Sequence, residues 1–299
     1  MQQTTINRRI ACQGIGLHNG APVEIALCAA PVGSGITFVL LGEGKAGEDV
    51  EIPAVVEAIH ASSRATTLAL KIDTSEQIST RRPHVATVEH LLATVFALEI
   101  DNLRIEVSGS EIPVMDGSAA PFVDWLRSAG RQVQSERRPE LAIEESFEIR
   151  EGDRSIHVEP SDELRISYGI DFDHSCIGRQ TFEILALDEK VFEHELAPAR
   201  TFGFAQEVEA LHEAGLALGG NLGNTVVLGD EKVLNEGGLR WPDEFVRHKI
   251  VDLIGDLALL GARPKAHIRV ERGGHRLHHR LVTELHAVGR RTQARVGRG

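Results

Sequence analysis

FVRHKIVDLIGDLALLG, residues 245–261, is a segment in which apolar side chains cover almost every side of a helix. At 100° per residue this pattern predicts a helix over about 243–260 that is buried nearly all round. One narrow polar stripe remains, formed by His248, Asp252, Gly255 and Asp256. Because unpaired carboxylates are very costly to bury, we expect a cation to pair with the carboxylates of this stripe.

His248 and Asp252 lie one helical turn apart, so both can ligate the same ion. The spacing alone is weak evidence, because His267 and Glu271 repeat it in a strand-like segment, where residues four apart are too distant to share an ion. From the residues alone, a metal or catalytic role and a core histidine with an Arg or Lys partner are equally supported. Asp256 lies about 12 Å along the axis from His248 and is expected behind the ligands rather than among them.

A second helix is predicted over about 85–99, with one apolar stripe and an opposite face of small residues around His90. A solvated face would carry Lys and Glu, so we expect another element to pack closely there and enclose His90. Glu89 lies about 100° round the helix from His90, which suits a ligand beside a general base.

The two halves of the chain show the same order of elements, strands followed by helix, strand and helix. The strand signals lie at 4–11, 23–27, 36–41, 65–72 and 103–107, then at 141–149, 154–159, 164–171, 180–185 and 267–271, and the closing helices at 119–129 and 276–288. The sequence therefore predicts an α+β fold of two similar domains, 1–133 and 140–299, divided at the polar segment 132–140. Residues 198–227 look like an insert with a function of its own.

Composition narrows the classes of function. The 299 residues are 42% hydrophobic, which excludes a disordered chain, and carry a net charge of −12 with 4% aromatics. Acidic charge repels nucleic-acid phosphates and few rings are available for stacking on bases, so we expect no nucleic-acid partner.

Three cysteines without CxxC spacing, and no apolar run long enough to span a bilayer, predict a cytoplasmic protein without stable membrane insertion. From Arg263 onward the chain holds ten Lys and Arg against two acids. We interpret this end as a solvated basic helix with a frayed tail after Gly289. Peripheral contact with the anionic inner membrane is the open alternative.

Eight segments carry a resemblance to one enzyme family. In order they are GIGLHNG (14–20), TVEHLLA (87–93), EIPVMDGSAAPF (111–122), IDFDH (170–174), ARTFGF (199–204), LGGNLGNTVVL (218–228), FVRHKIVDLIGDLALLG (245–261) and GGH (273–275). Together they resemble the bacterial UDP-3-O-acyl-N-acetylglucosamine deacetylases, and the match spans nearly the whole chain.

The resemblance implies a zinc-dependent hydrolase that removes acetate from UDP-3-O-[(R)-3-hydroxyacyl]-N-acetylglucosamine, the committed step of lipid A (lipopolysaccharide) biosynthesis. It also implies two β-α-α-β domains that form a sandwich, with helices packed between two outer sheets and an insert in each domain. The expected partner is a small molecule, this acylated UDP-amino sugar, and the expected assembly is a monomer.

The resemblance also implies the site residues. The zinc ligands would be His90, His248 and Asp252, and the general base would be Glu89. His275 would be the general acid, oriented by Asp256, and the hydroxyl of Thr201 would support the oxyanion. The substrate would contact Lys249 at its diphosphate, Phe172 at its uracil, and Phe202 and Leu218 along an acyl passage. Three ligands leave one coordination position open, as in catalytic zinc sites.

Other interpretations remain open. Two histidines and a carboxylate are also the facial triad of non-haem Fe(II) oxygenases, so Fe²⁺ is an alternative metal. A non-catalytic metal- or nucleotide-binding module is a third function. Thr201 could cap a following helix, Phe172 could be a core residue, and His278 and His279 beside His275 could form another metal cluster or a solvated basic face.

Overall fold

The computed structural model describes residues 1–44, 47–61, 64–70 and 82–296, and it has an α+β fold. The strands of the first half are β1 (Gln2–Ile6), β2 (Ile10–Ile15), β3 (Pro22–Ala29), β4 (Ile36–Leu40), β5 (Val50–Pro53), β6 (Ile59–Ala61), β7 (Thr67–Ala69), β8 (His84–Val85), β9 (Leu103–Val107) and β10 (Arg131–Arg137). Its helices are a short 3₁₀ turn (Val56–Ala58), α1 (Glu89–Ala97) and α2 (Ala120–Ala129).

The second half adds eight strands and four helices among the described residues. The strands are β11 (Glu140–Ala142), β12 (Phe147–Glu151), β13 (Arg154–Pro160), β14 (Arg165–Phe172), β15 (Gly178–Ile184), β16 (Phe202–Phe204), β17 (Val226–Leu228) and β18 (Arg263–Glu271). The helices are α3 (Glu189–Val191) with a π-helical turn (Phe192–Leu196), α4 (Val208–Glu213) after a 3₁₀ turn (Ala205–Glu207), α5 (Glu244–Ala258) and α6 (His275–Val296).

The two large sheets share one topology. The first has the order β2-β3-β9-β4-β5 and the second the order β12-β13-β18-β14-β15. In each sheet, the strand that comes last in the sequence lies in the middle and runs parallel to one neighbour. These parallel pairs are β9 with β4 and β18 with β14. A helix precedes and follows that central strand in both halves. The predicted repetition of order is therefore present as a repeated sheet topology.

The helices α1 and α5 form the centre of the molecule. They approach so closely that a Cβ atom on Gly255 would lie 2.1 Å from the carbonyl oxygen of Glu89. All of α5 except Lys249 and Ala258 is buried, and of α1 only Phe96 is partly exposed. The predictions of an all-round buried helix and of close packing on the His90 face are confirmed.

Two predicted strands are each divided into two. The segment 4–11 is interrupted at Asn7–Arg9, because the amide of Asn7 turns to the carbonyl of Gly130 and the chain passes from the β1-β10 pair to the large sheet. The segment 141–149 is similarly split, since β11 pairs in parallel with β18 whereas β12 pairs with β13.

Other boundaries differ as well. The helix predicted from residue 85 begins at Glu89, because Thr87 has φ of 57°, a left-handed conformation that cannot continue a helix. Residues 132–140, predicted to divide two domains, contain β10, which pairs with β1. The domain division stays a prediction. In the predicted strand 65–72, residues 71 and 72 lie outside the described residues.

The carboxyl-terminal helix is longer than predicted. It continues through Gly289 to Val296 instead of ending at 288 in a frayed tail, and residues 297–299 lie outside the described residues. None of the helices in the described ranges is long and apolar enough to cross a membrane.

Candidate metal centre and active site

His90 from α1 and His248 and Asp252 from α5 meet where the two helices pack. Asp252 Oδ1 lies 3.6 Å from His90 Nε2 and 3.4 Å from His248 Nε2. All three side chains are buried, and the two imidazole rings stand edge to face at 4.8 Å between centroids. Sequence reasoning placed these residues together, and the structure does so.

The three side chains fit a divalent metal ion. Ligand atoms about 2.0–2.1 Å from a tetrahedral ion lie roughly 3.3–3.4 Å from one another, close to the spacing found here. The Nδ1–H of His248 donates to the carbonyl oxygen of Ala199 at 3.0 Å, which leaves Nε2 with a free lone pair toward the centre. The residues can therefore hold a metal ion, and their chemistry alone does not select its identity.

The protonation states suit metal binding as well. Burial lowers the pKa of His248 to about 4, so the ring is neutral at pH 7. Burial alone would raise the pKa of Asp252, but Lys249 and His248 together hold it well below its usual range. Lys249 Nζ donates to Asp252 Oδ2 at 2.7 Å, so Oδ1 stays available to a metal.

Glu89, on the first turn of α1, lies beside the metal-ligand group formed by His90, His248 and Asp252. Its Oε2 accepts the backbone N–H of Thr66 at 3.0 Å, and its Oε1 lies 3.7 Å from His275 Nε2. Burial raises the pKa of Glu89 above its ordinary value, which makes the ionised form a stronger base.

His275, the first residue of α6, faces Glu89 across the site. Its Nδ1–H donates to Asp256 Oδ2 at 2.8 Å, so the predicted contact between these residues is confirmed. Burial alone would lower the pKa of His275, but the carboxylate of Asp256 outweighs it, and the pKa rises to about 9. The imidazolium is therefore the dominant form at pH 7, with Nε2–H directed toward Glu89.

Sequence reasoning missed much of what surrounds Asp256. His278 Nδ1 lies 3.0 Å from Asp256 Oδ2, and the hydroxyl of Thr66 donates to Oδ1. His279 is buried too, so His278 and His279 do not form a solvated basic face. No local pattern could have identified Thr66, because the partners of its hydroxyl are 190 to 213 residues away along the chain.

A cavity of about 550 Å³ opens from this group of residues, a size that suits a small-molecule ligand. The predicted residues that line it are Glu89, His90, Phe172, Thr201, Phe202, His248, Lys249, Asp252 and His275. Arg64 and Arg154, which the sequence did not single out, also line it and add positive charge.

Leu218 is not among the residues that line this cavity, and its place along an acyl passage stays a prediction. Leu218 is 50% exposed, and its amide donates to the carbonyl of His18. The neighbouring Ala217, with φ of 56°, and Gly220 do line the cavity.

Thr201 and Phe202 are positioned by the short strands of the insert. The amide of Thr201 donates to the carbonyl of Gly117, and β16 follows directly, so Thr201 does not cap a helix. Phe202 lies edge to face with Phe172 at 5.8 Å between centroids, and Lys249 Nζ lies 5.7 Å from the Phe202 ring. Phe172 is only partly buried and lines the cavity rather than the centre of the core.

Comparison with known proteins adds an independent observation. The profile of the LpxC family, UDP-3-O-acyl N-acetylglycosamine deacetylase, matches residues 3–287. The chain belongs to this family. It is similar to a UDP-3-O-acyl-N-acetylglucosamine deacetylase of Oleidesulfovibrio alaskensis, with 46% identity over 95% of this chain and 89% of the relative. Relatives with the same name in Nitratidesulfovibrio vulgaris and Anaeromyxobacter sp. (strain Fw109-5) are 45% and 41% identical, each over 95% of this chain and 88% of their own length.

Proposed function

We propose that this protein is a zinc-dependent hydrolase that deacetylates UDP-3-O-[(R)-3-hydroxyacyl]-N-acetylglucosamine to the free 2-amine and acetate, the committed step of lipid A biosynthesis. The observation that carries the proposal is the pairing of Glu89 with His275. Glu89 Oε1 and His275 Nε2 lie 3.7 Å apart beside a buried metal-ligand group, within one cavity. Membership of the deacetylase family supplies the substrate class.

His90, His248 and Asp252 would hold the zinc ion, which supplies Lewis acidity when bound, polarising a carbonyl group and making a water molecule more acidic. Two imidazoles and one carboxylate are a ligand set common in catalytic zinc sites.

Glu89 and His275 divide the proton transfers of amide hydrolysis. Glu89 accepts a proton from the water whose oxygen adds to the acetamide carbonyl carbon. As the carbon–nitrogen bond breaks, His275 donates the proton on Nε2 to the leaving nitrogen, so acetate and an amine are released. A base whose pKa is raised by burial and an acid whose pKa is raised to about 9 suit these two tasks.

The remaining residues bind and orient the substrate. The hydroxyl of Thr201 supports the negative charge that develops on the carbonyl oxygen. Lys249, with Arg64 and Arg154, supplies positive charge for the diphosphate. Phe172 stacks on uracil, and Phe202 contacts the acyl chain. Leu218, with Ala217 and Gly220 of the cavity lining, forms the proposed wall of the acyl passage.

The same ligand set also suits Fe²⁺, either in this hydrolase or in an oxygenase. Glu89 favours hydrolysis, because an oxygenase has no use for a general base at that position. A non-catalytic module would leave the opposed Glu89 and His275 without a role.

The proposed setting follows from the substrate. A nucleotide-linked sugar is a cytoplasmic metabolite, so we place the protein in the cytoplasm. We expect a monomer of two domains, 1–133 and 140–299, whose Arg-rich carboxyl-terminal tail contacts an anionic membrane surface. Light scattering of the purified protein measures the assembly, and sedimentation with anionic vesicles at low and high salt measures the contact.

The test of the reaction is acetate release from UDP-3-O-(3-hydroxymyristoyl)-N-acetylglucosamine. Acetate release should vanish after dipicolinate treatment and return with one equivalent of zinc. Adding Fe²⁺ instead of zinc to the treated protein then compares the rates of release that the two metals support. The absence of release by folded, metal-loaded protein would overturn the proposal.

A further inference from the structure

We infer that Thr66 is a positioning residue that holds the proposed general base and the partner of the proposed general acid in one fixed arrangement. This inference rests on the proposed function. Thr66 is 1% exposed and lies immediately before β7, in contact with Asp256 of α5.

The backbone of Thr66 fixes Glu89 from two sides. Its N–H donates to Glu89 Oε2 at 3.0 Å, and its carbonyl oxygen accepts the N–H of Val88, the residue before Glu89, at 3.4 Å. The carboxylate and the start of α1 are therefore tied to the same residue. Because Oε2 is occupied by this donor, Oε1 is the oxygen that faces His275.

The side chain of Thr66 fixes the other half of the pair. Its hydroxyl has a single hydrogen, which it donates to Asp256 Oδ1. Asp256 Oδ2 accepts from His275 Nδ1, so Thr66 and His275 occupy different oxygens of one carboxylate. Thr66 therefore holds one oxygen of the carboxylate, while His275 and His278 hold the other.

Thr66 and Asp256 together determine the tautomer of His279. His279 Nε2 lies 2.8 Å from Thr66 Oγ1, whose hydrogen already points to Asp256, and 3.3 Å from Asp256 Oδ1, so Nε2 must carry a hydrogen and donate it. His279 Nδ1 is then left as an acceptor, and it is a buried atom without a hydrogen-bond partner in the structure. The orphaned nitrogen agrees with this direction of hydrogen bonding.

Thr66 thus connects groups from three separate elements through its hydroxyl and its backbone N–H and C=O groups. Glu89 belongs to α1, Asp256 to α5, and His275 and His279 to α6. Catalytic groups must be held to within a fraction of an ångström, and misplacement by about 1 Å can cost roughly 100-fold in rate. The contribution expected of Thr66 is therefore to kcat rather than to substrate binding.

The test compares Thr66→Val, which keeps the shape and the N–H but removes the hydroxyl, with Thr66→Ser, which keeps both polar groups. We expect Thr66→Val to lower kcat about 10- to 100-fold, with KM within twofold and metal content unchanged. Thr66→Ser should retain at least a third of the wild-type kcat. If Thr66→Val does not fold, Thr66→Ala serves in its place.

Thr5→Val is the matched control, because Thr5 is equally buried and its hydroxyl donates to the carbonyl of Asn102, in a part of the fold outside the cavity. It should lower thermal stability without lowering kcat. The inference is overturned if Thr66→Val keeps kcat within twofold of wild type, if Thr66→Ser is as slow as Thr66→Val, or if Thr5→Val lowers kcat equally.

A second readout does not depend on activity. In ¹⁵N-histidine NMR of the wild-type holoprotein, His279 should carry its hydrogen on Nε2. This signal should shift in Thr66→Val, where Asp256 Oδ1 is left as its acceptor, and should stay in place in Thr66→Ser. An unchanged His279 signal in Thr66→Val overturns the inference. If wild-type protein releases no acetate, the proposed function fails, whereas the NMR result still decides whether Thr66 orders these groups.

Discussion

At the scale of single residues, the most direct prediction concerns Glu89. Glu89→Gln keeps an oxygen for the N–H of Thr66 but cannot accept a proton, so acetate release should fall about 100-fold or more while the metal stays bound. Metal analysis and acetate release on the same samples measure both. Glu24→Gln, an exposed carboxylate on β3, is the control and should keep full activity. Activity of Glu89→Gln above half of wild type would contradict the assignment.

The second residue-scale prediction concerns the charge of His275. Its pKa in the folded, metal-free protein is raised to about 9, above the value of roughly 6.5 for an unperturbed histidine. The folded state therefore gains stability from His275 fully below about pH 6.5 and loses it as the pH rises through 9. NMR titration of metal-free protein should show His275 changing near pH 9, and Asp256→Asn should lower that value. A titration below pH 7 in the wild type would disprove the prediction.

Binding of a divalent cation should shift the same titration downward. The cation would lie beside Asp252, whose Oδ2 is 3.9 Å from His275 Nε2, and positive charge disfavours the imidazolium. The NMR titration repeated with one equivalent of zinc measures the shift. A His275 titration that zinc leaves unchanged would place the ion elsewhere.

At the scale of elements, the contact of α1 with α5 is the most restrictive feature. In Gly255→Ala the new Cβ would meet the carbonyl oxygen of Glu89 at 2.1 Å, so the helices must separate. We expect a loss of about 1–3 kcal/mol in the free energy of unfolding, together with weaker metal binding, because His90 moves with α1. Urea denaturation and metal titration measure the two effects.

The control for that prediction is Gly289→Ala in α6, where the nearest atom to the new Cβ is 3.4 Å away. Alanine is a better helix former than glycine, so this variant should be about 0.5–1 kcal/mol more stable than wild type. If both variants lose stability alike, the close packing at Gly255 is not the cause.

At the scale of the whole molecule, a metal ion would connect the two halves of the chain. One ligand comes from α1 and two from α5, so a metal binds the folded state and not the unfolded chain. At a free zinc concentration of about 1,000 times Kd, the folded state should gain about 4 kcal/mol. Thermal unfolding with and without zinc measures this gain. His90→Gln should lose it, whereas His157→Gln should keep it, and an equal gain in both would contradict the assignment of the ligands.

The sequence by itself determined the repeated order of elements, the burial of the helix at 244–258, and the one-turn pairing of His248 with Asp252. These features are local, because helix periodicity and i, i+4 spacing depend only on neighbouring residues. The resemblance of the motifs to one family also assigned the roles of general base to Glu89, metal ligand to His90 and general acid to His275.

Only the tertiary structure decided which distant residues share the site. Thr66 joins Glu89 to Asp256 through contacts between strands and helices far apart in the chain, and no periodicity encodes such contacts. It likewise set the break at Asn7–Arg9, where a hydrogen bond to Gly130 moves the chain between sheets, and the exposure of Leu218, whose amide donates to the carbonyl of His18. The physical reason is common to all three. Hydrogen bonds and packing between remote segments depend on how the whole chain folds, whereas the local sequence pattern specifies only the secondary structure that each segment can form.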